Sequence, residues 1–152
     1  EPLPQDLLDK MLAAKNFQSG MQMVRQVELS LFDFDLHASH QDGRSVLEVL
    51  ESIRAEVSVM RPPTYNRFAN SFAHIFAGGY AAGYYSYKWA EVLEADAFSR
   101  FKADGVLSVI VGRDYRERLL SRGNSADPAQ LFRDFMGRDP DSEALLRRSG
   151  LA

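Results

Sequence analysis

The tyrosines of one aromatic stretch are the residues whose type and spacing are best suited to chemistry. Tyr80, Tyr84 and Tyr87 lie four and three residues apart within the segment 72–98. On a helix, side chains with this spacing project from one face, so their three hydroxyl groups could converge. The spacing makes this stretch the leading candidate for a functional site.

A glycine-rich bend precedes these tyrosines. Gly78 and Gly79 lack a Cβ atom and can adopt a positive φ, so the backbone can curve around a ligand or swing there. His74 lies before the bend, six residues ahead of Tyr80. The same residues also suit a structural role, because tyrosine stripes often pack as amphipathic faces and glycines permit close helix packing. The residues alone leave both interpretations open.

The histidines do not predict a metal site. His37 and His40 are three residues apart at the end of a predicted helix, with no carboxylate motif beside them, and we expect both to be exposed in a loop. The zinc-peptidase signature H-E-x-x-H, the G-x-S-x-G elbow and the phosphate-binding loop do not occur in this sequence. No metal ligands are therefore predicted in these residues.

Composition and charge describe an ordinary globular chain. The 152 residues are 45% apolar and 26% charged, and the net charge is −3. Nucleic-acid footprints and polybasic membrane surfaces need excess positive charge, so neither nucleic acid nor membrane is an expected partner. The absence of cysteine excludes disulfides and favours a reducing, cytoplasmic location. The first residue is Glu1 rather than Met, which fits a processed product or a piece of a longer polypeptide.

Helices are the elements that would position the candidate residues. Apolar residues recur at helical spacing after Pro4 and the pattern fades at Lys15, which predicts a first helix. A second helix of about 20 residues is predicted to bury one stripe. That stripe consists of Phe17, Met21, Val24, Val27, Leu31 and Phe34. Ser45 and Glu48 have the spacing of a capping box that opens a third helix. Its predicted inward residues are Val46, Val49, Leu50, Ile53 and Val57.

A longer helix is predicted from about Tyr80 to Lys102, with the tyrosines on one face. Its opposite side is predicted to be core and comprises Tyr85, Trp89, Val92 and Phe101. Asp127-Pro128 and Asp139-Pro140 each pair an N-cap residue with a proline suited to a first helical turn, which predicts two short helices at the end. Only the run 106–111 is ambiguous between strand and helix. The predicted fold class is all-α, as a single helical domain or fragment over residues 1–152.

Three segments resemble, in the same order, one known family. Residues 9–37, 72–101 and 121–151 look like the C-terminal region of the thimet oligopeptidase family of zinc metallopeptidases, and most like a bacterial member of it. The resemblance implies a largely helical zinc metalloendopeptidase whose deep channel admits short unstructured peptides. It implies that zinc is bound by H-E-x-x-H and a distant glutamate, which lie in a zinc-binding part upstream of this sequence. A chain without that part is expected to be inactive alone.

The resemblance also implies roles for particular residues. His74, Tyr80 and Tyr87 match positions that contact substrate or the developing oxyanion, and Tyr84 matches another tyrosine that contacts substrate. The loop at Gly78-Gly79 is expected to close after a peptide enters. A neutral phenol is long enough to reach across a cleft and to donate a hydrogen bond to a carbonyl oxygen as negative charge grows on it.

One alternative from another class stays open. A helical interaction module could retain the family scaffold without its chemistry, and a fragment that exposes apolar faces could self-associate. The sequence also leaves open whether an endopeptidase or a dipeptide-releasing carboxypeptidase is the nearer relative.

Overall fold

A computed structural model describes residues 2–39 and 43–152, and all of the regular structure in those two ranges is helical. The α-helices are α1 (Gln5–Lys15), α2 (Ser19–Ala38), α3 (Val46–Val57), α4 (Phe68–Ser71), α5 (Ser86–Asp104), α6 (Val109–Arg118), α7 (Pro128–Met136) and α8 (Glu143–Arg148). Short 3₁₀ helices cover Ala73–Ile75 and Leu120–Arg122. The all-α prediction is confirmed. None of the described helices has the length and apolar character needed to cross a membrane.

The chain forms two compact units, residues 1–88 and 89–152, and the boundary between them falls within α5. The core of the first unit is formed by α2, α3 and the segment 69–75. Its buried members are Leu29, Phe32, Leu36, Val49, Leu50, Ala69, Phe72 and Ile75. Phe68 and Tyr84 are partly buried against this cluster. The glycine-rich bend therefore begins directly after a core segment.

The second helix is confirmed, but the prediction of its buried face is wrong. Phe17, which lies just before α2, is 71% exposed, and Phe34 is 54% exposed, whereas Phe32 is fully buried. The buried face carries Leu29, Phe32 and Leu36 together with the charged residues Glu28 and Asp33. Those two charges make the buried face look less apolar than the exposed stripe. In α1, no residue is buried.

Glu28 is buried because it pairs with an arginine from α3. Its Oε1 atom lies 3.2 Å from Nε of Arg54 and 2.6 Å from Nη1 of Arg25. Arg54 is itself buried and also contacts Glu51 at 3.0 Å. A buried charge is tolerated when it is paired and hydrogen-bonded, so this group fixes α2 against α3.

The predicted capping box at the start of α3 is confirmed. The Ser45 hydroxyl accepts from the Glu48 amide at 3.3 Å, and the Ser45 amide donates to Glu48 Oε2 at 2.6 Å. Two otherwise unpaired amide groups are thereby satisfied. Among the predicted inward residues, Val49 and Leu50 are buried, whereas Val46 is 39% exposed.

The long helix begins at Ser86, so its predicted start at Tyr80 is wrong. Residues 81–85 form turns instead. The predicted core side is also wrong in part, because Tyr85 and Trp89 are each 51% exposed, while Val92 is buried.

The second unit has its own core of Ala97, Val111, Phe132 and Phe135. The ambiguous run 106–111 contributes to helix α6, which the Ser108 side chain caps. The predicted cap at Asp127 is confirmed, because its Oδ1 atom accepts from the amides of Ala129 and Gln130 at 2.7 and 3.1 Å. The second predicted cap is wrong. Asp139 pairs with Arg133 at 2.7 Å, and the last helix begins at Glu143.

Candidate functional site

The glycine-rich bend is tight because the chain passes directly over His74. A Cβ atom on Gly78 would lie 2.7 Å from both Cα and O of His74, which no ordinary side chain permits. Gly79 follows with a φ of +80°, in the region that favours glycine. The Tyr80 amide then donates to the His74 carbonyl oxygen at 3.2 Å. The two glycines therefore close a loop between His74 and Tyr80.

A carboxylate from α2 holds the next part of this loop. Asp33 is only 1% exposed; its Oδ1 atom accepts from the Ala82 amide at 2.9 Å and its Oδ2 atom from the Tyr84 amide at 2.8 Å. Ala82 has a φ of +53°, which is unusual for a residue with a side chain. These backbone contacts keep residues 82–84 in a turn. They explain why the helix does not begin at Tyr80.

The Asp33 carboxylate also contacts a histidine. Nδ1 of His37 lies 2.9 Å from Oδ1 of Asp33 and 2.8 Å from the Asp33 carbonyl oxygen. His37 therefore belongs to the last turn of α2 and has a hydrogen-bond partner, so the prediction of an exposed loop histidine is wrong for it. His40 lies outside the described residues.

The predicted tyrosines do come together, although by a turn rather than along a helix. The ring centroids of Tyr80 and Tyr87 are 5.1 Å apart, and those of Tyr84 and Tyr87 are 5.2 Å apart. The His74 ring lies 6.3 Å from Tyr80 and 6.4 Å from Tyr84. We refer to these four residues as the tyrosine cluster. The bend at Gly78 and Gly79 connects its first two members.

Tyr84 is the most firmly anchored member of the tyrosine cluster. Its hydroxyl donates to Oε1 of Gln26 at 3.1 Å, and its ring packs edge-on against Phe72 at 5.1 Å. Burial raises the pKa of Tyr84, and the positive charge of Arg25 opposes that rise. Tyr84 thus connects the tyrosine cluster to the core and to α2.

Tyr87 is the most exposed tyrosine of the tyrosine cluster, and Tyr80 beside it is half-buried. Tyr87 is 41% exposed, and a side-chain hydrogen bond with Tyr80, followed by partial burial, raises its pKa above the usual value of 10.0. The Tyr87 phenol therefore keeps its proton at neutral pH. Each hydroxyl carries one proton, so a hydrogen bond within the pair leaves the second proton to be donated to a ligand.

The described residues do not fit a catalytic metal ion. Within residues 2–39 and 43–152, no three His, Cys, Asp or Glu side chains form a group that could bind one. The zinc ion that the sequence resemblance implies has no ligand set there.

Two residues of this site escaped the sequence analysis, Asp33 and Gln26. The sequence does contain a signal for Asp33, because this charged residue lies between Phe32 and Phe34 in an apolar stretch, four residues before His37. A charge within such a stretch needs a partner, and a helix places residues four apart side by side. Gln26 had no comparable signal, because its contact is with a residue 58 positions away.

Comparison with known proteins gives a consistent family match. The sequence model of peptidase family M3 matches residues 1–151. Oligopeptidase A of Salmonella typhimurium and oligopeptidase A of Escherichia coli are each 51% identical to the chain over 153 residues. A dipeptidyl carboxypeptidase of Salmonella typhimurium is 34% identical over 154 residues. These alignments cover 99% of the chain.

The alignments cover much less of the relatives. The chain spans 22% of the length of each oligopeptidase A and 23% of the dipeptidyl carboxypeptidase. The tyrosine cluster lies within the matched part of the chain.

Proposed function

This chain belongs to peptidase family M3, and we propose that it is the part of a zinc-dependent oligopeptidase that binds the peptide and stabilises the oxyanion formed during hydrolysis. The observation that carries the proposal is the pairing of Tyr80 with Tyr87. Their rings are 5.1 Å apart, Tyr80 directly follows the glycine loop, and Tyr87 is 41% exposed. We assign the oxyanion role to this pair.

The chemistry of the pair suits that role. When a nucleophile adds to a peptide carbonyl, negative charge grows on the oxygen, and a fixed donor stabilises it more than it stabilises the uncharged carbonyl. The packing of the two rings, whose centroids are 5.1 Å apart, restricts their orientation before substrate binds. A phenol that accepts a hydrogen bond from its neighbour is also a stronger donor, because hydrogen bonds polarise one another.

His74, Gly78, Gly79 and Tyr84 are assigned to substrate binding. The His74 side chain is exposed, and its ring lies within 6.4 Å of the rings of Tyr80 and Tyr84. Gly79 has no atoms within 4 Å of a would-be Cβ, so a peptide backbone can approach it closely. Tyr84 contributes its ring, because its hydroxyl is already bonded to Gln26.

The zinc ligands are assigned to a part of the polypeptide outside this sequence. Each oligopeptidase A is about 4.5 times as long as the chain, since the chain spans 22% of it. Short peptides are the proposed substrates, and the part that carries the metal ligands is the proposed intramolecular partner. The 152-residue chain alone should not cleave a quenched fluorescent peptide in a zinc-dependent way. We propose a cytoplasmic location for the enzyme, on the cysteine-free sequence.

Oligopeptidase activity is favoured over dipeptide release. The identity to each oligopeptidase A is 51%, compared with 34% to the dipeptidyl carboxypeptidase. Product analysis with a peptide blocked at its C-terminus separates the two activities, because an endopeptidase cleaves it internally and an enzyme that requires a free carboxylate does not.

Conservative substitutions in the full-length enzyme test the oxyanion role. Tyr80→Phe or Tyr87→Phe removes one hydroxyl and keeps the ring, and each should lower kcat by about a hundredfold or more while KM changes much less. Tyr85→Phe is the matched control, because Tyr85 lies in the same turn but is 51% exposed and outside the tyrosine cluster. Wild-type kcat in both cluster variants would refute the oxyanion role and leave packing as the function of the rings.

One observation favours the alternative of a non-catalytic interaction module. α1 buries no residue, and α2 leaves an apolar stripe exposed. The exposed members are Leu7, Met11, Leu12, Met21, Val27, Leu31 and Phe34. In the oligopeptidase proposal this face packs against the rest of the polypeptide; in the module proposal it binds a separate partner or a second copy. Monomeric behaviour of the full-length protein in sedimentation, together with peptidase activity, would contradict the module.

A further inference from the structure

We propose that Asp33 is a positioning residue that sets the tyrosine cluster in its working geometry. This inference rests on the proposed function of Tyr80 and Tyr87. Asp33 belongs to α2 and acts on residues 49 and 51 positions further along the chain. It does so through the backbone of the turn.

The contact is well suited to fixing a backbone. The two oxygens of Asp33 accept from different amides, Ala82 at 2.9 Å and Tyr84 at 2.8 Å. One rigid carboxylate therefore spans three consecutive residues, 82–84. Hydrogen bonds to an ionised acceptor are shorter and stronger than neutral ones, and this carboxylate is 1% exposed, so water does not compete for it.

The carboxylate is itself held in place. His37, one turn further along α2, contacts Oδ1 of Asp33 at 2.9 Å, and its ring lies 6.3 Å from the ring of Phe76. Phe76 lies two residues before Gly78, where the bend begins. Asp33 and His37 thus contact both the segment before the bend and the turn after it.

The turn sets the positions of the two proposed donors. The Tyr84 amide donates one of the two hydrogen bonds, and the Tyr84 ring packs against that of Tyr87 at 5.2 Å. Tyr80 lies two residues before Ala82, between the glycine bend and the carboxylate. If the turn relaxes, both hydroxyls move relative to the substrate, and displacement by about 1 Å can lower a rate about a hundredfold.

Asn in place of Asp33 tests the role with little change in shape. An amide has one acceptor oxygen and one NH₂ group, so one backbone N–H would face a donor instead of an acceptor. In the full-length enzyme, Asp33→Asn should lower kcat by about a hundredfold with a smaller change in KM. In a background that carries both Tyr80→Phe and Tyr87→Phe, the same substitution should have a much smaller effect, because Asp33 acts through these two tyrosines.

Hydrogen exchange provides a readout that does not depend on activity. In Asp33→Asn, peptides that contain the amides of residues 82–84 should exchange faster than in the wild type, while zinc content stays the same. His37→Ala leaves the hydrogen bonds from the Ala82 and Tyr84 amides to Asp33 in place, so it is a milder variant in case Asp33→Asn does not fold. It should speed the same exchange and lower kcat to a smaller extent.

Asp96→Asn is the matched control. Asp96 is also 1% exposed and also accepts a backbone amide, from Asp141 at 2.8 Å, but it lies in the other unit and has no part in the tyrosine cluster. It should lower stability and leave kcat unchanged.

The inference is overturned if the folded Asp33 variant keeps wild-type kcat and exchange, or if both Asp variants lower kcat equally. It is also overturned if Asp33→Asn has its full effect in the background that carries both Tyr80→Phe and Tyr87→Phe. If Asp33→Asn does not fold, unchanged exchange in His37→Ala overturns it. Failure of the proposed function is separate, because it appears as wild-type kcat in Tyr80→Phe and Tyr87→Phe.

Discussion

Asp33 and Asp96 are equally buried carboxylates in different units, and they are satisfied in different ways. Asp33 accepts from the amides of Ala82 and Tyr84 and contacts His37. Asp96 is paired with a guanidinium group. Nη1 and Nη2 of Arg138 lie 2.7 and 2.6 Å from its two oxygens.

The guanidinium determines the charge state of Asp96. Burial alone would raise the pKa of this carboxyl, but the hydrogen bonds from Arg138 and the Asp141 amide outweigh burial and lower the pKa below 3.8. Asp96 is therefore ionised at neutral pH. A folded-state pKa below the unfolded value means that its contribution to stability is present above pH 3.8 and is lost as the pH falls through the folded-state value.

The two carboxylates differ in which part of the structure they constrain. Arg138 is a long side chain, 45% exposed, so its bond to Asp96 ties α5 to the segment before α8 without dictating a backbone shape. Two amides on one carboxylate do dictate a backbone shape. We therefore expect removal of the Asp96–Arg138 contact to lower stability. Removal of the hydrogen bonds between Asp33 and the two amides should lower activity.

The largest expected effect is the loss of stability on removal of Arg138. Arg138→Ala leaves a buried carboxylate without its cation, which should lower the free energy of local opening of the second unit by about 3 kcal/mol. Hydrogen exchange of peptides from α5 and α8 in the full-length protein measures it, and kcat should not change.

Arg133→Ala is the matched control for that prediction. Arg133 pairs with Asp139, but the two side chains are 42% and 74% exposed, so this ion pair is worth at most about 1 kcal/mol. Equal destabilisation by the two arginine variants would show that burial of Asp96 does not matter, and the comparison between the carboxylates would lose its basis.

Local sequence signals predicted the elements whose causes are local. The capping box at Ser45 and Glu48 and the cap at Asp127 were confirmed, because each depends on residues two or three positions apart. The buried face of α2 was predicted wrongly, because the sequence offers two apolar stripes on one helix. The stripe with Phe32 is buried, and the interrupting charges are compensated by groups from distant segments.

The same distinction explains the candidate site. The spacing of Tyr80, Tyr84 and Tyr87 predicted that they would lie together, and they do, but the predicted helix was replaced by a turn. That turn is hydrogen-bonded to Asp33, which is about 50 residues away along the chain. A contact over such a separation leaves no periodic signal in either segment.

An intermediate effect is expected at the glycine bend. A Cβ at Gly78 would lie 2.7 Å from His74 backbone atoms, so Gly78→Ala must shift the backbone and should cost about 2 kcal/mol in loop stability, with a fall in kcat. Gly79→Ala meets no atom of the chain within 4 Å, so its cost in loop stability is only that of its left-handed φ, about 1 kcal/mol. Its Cβ would also obstruct the proposed approach of a peptide and lower kcat/KM. Exchange rates of loop peptides and kcat in the full-length enzyme measure both. A larger loss of loop stability at Gly79 than at Gly78 would contradict close packing on His74 as the reason for the bend.

The smallest expected effect is at Ala82, and it separates two causes of the turn. Ala82 has a φ of +53°, a value that glycine adopts at lower energy, so Ala82→Gly relieves backbone strain in the folded state. The same substitution increases the conformational entropy of the unfolded chain. These terms oppose each other, and the net change should be within about 0.5 kcal/mol.

Activity of Ala82→Gly then tests what holds the turn. The amide that donates to Asp33 is present in both residues, so if the carboxylate fixes residues 82–84, kcat and the exchange of these amides should stay close to wild type. If the limited conformational freedom of Ala82 fixes the turn instead, glycine should loosen it and lower kcat as Asp33→Asn does. Comparison of the two variants in the same full-length enzyme therefore assigns the turn either to its own residue or to the buried carboxylate of α2.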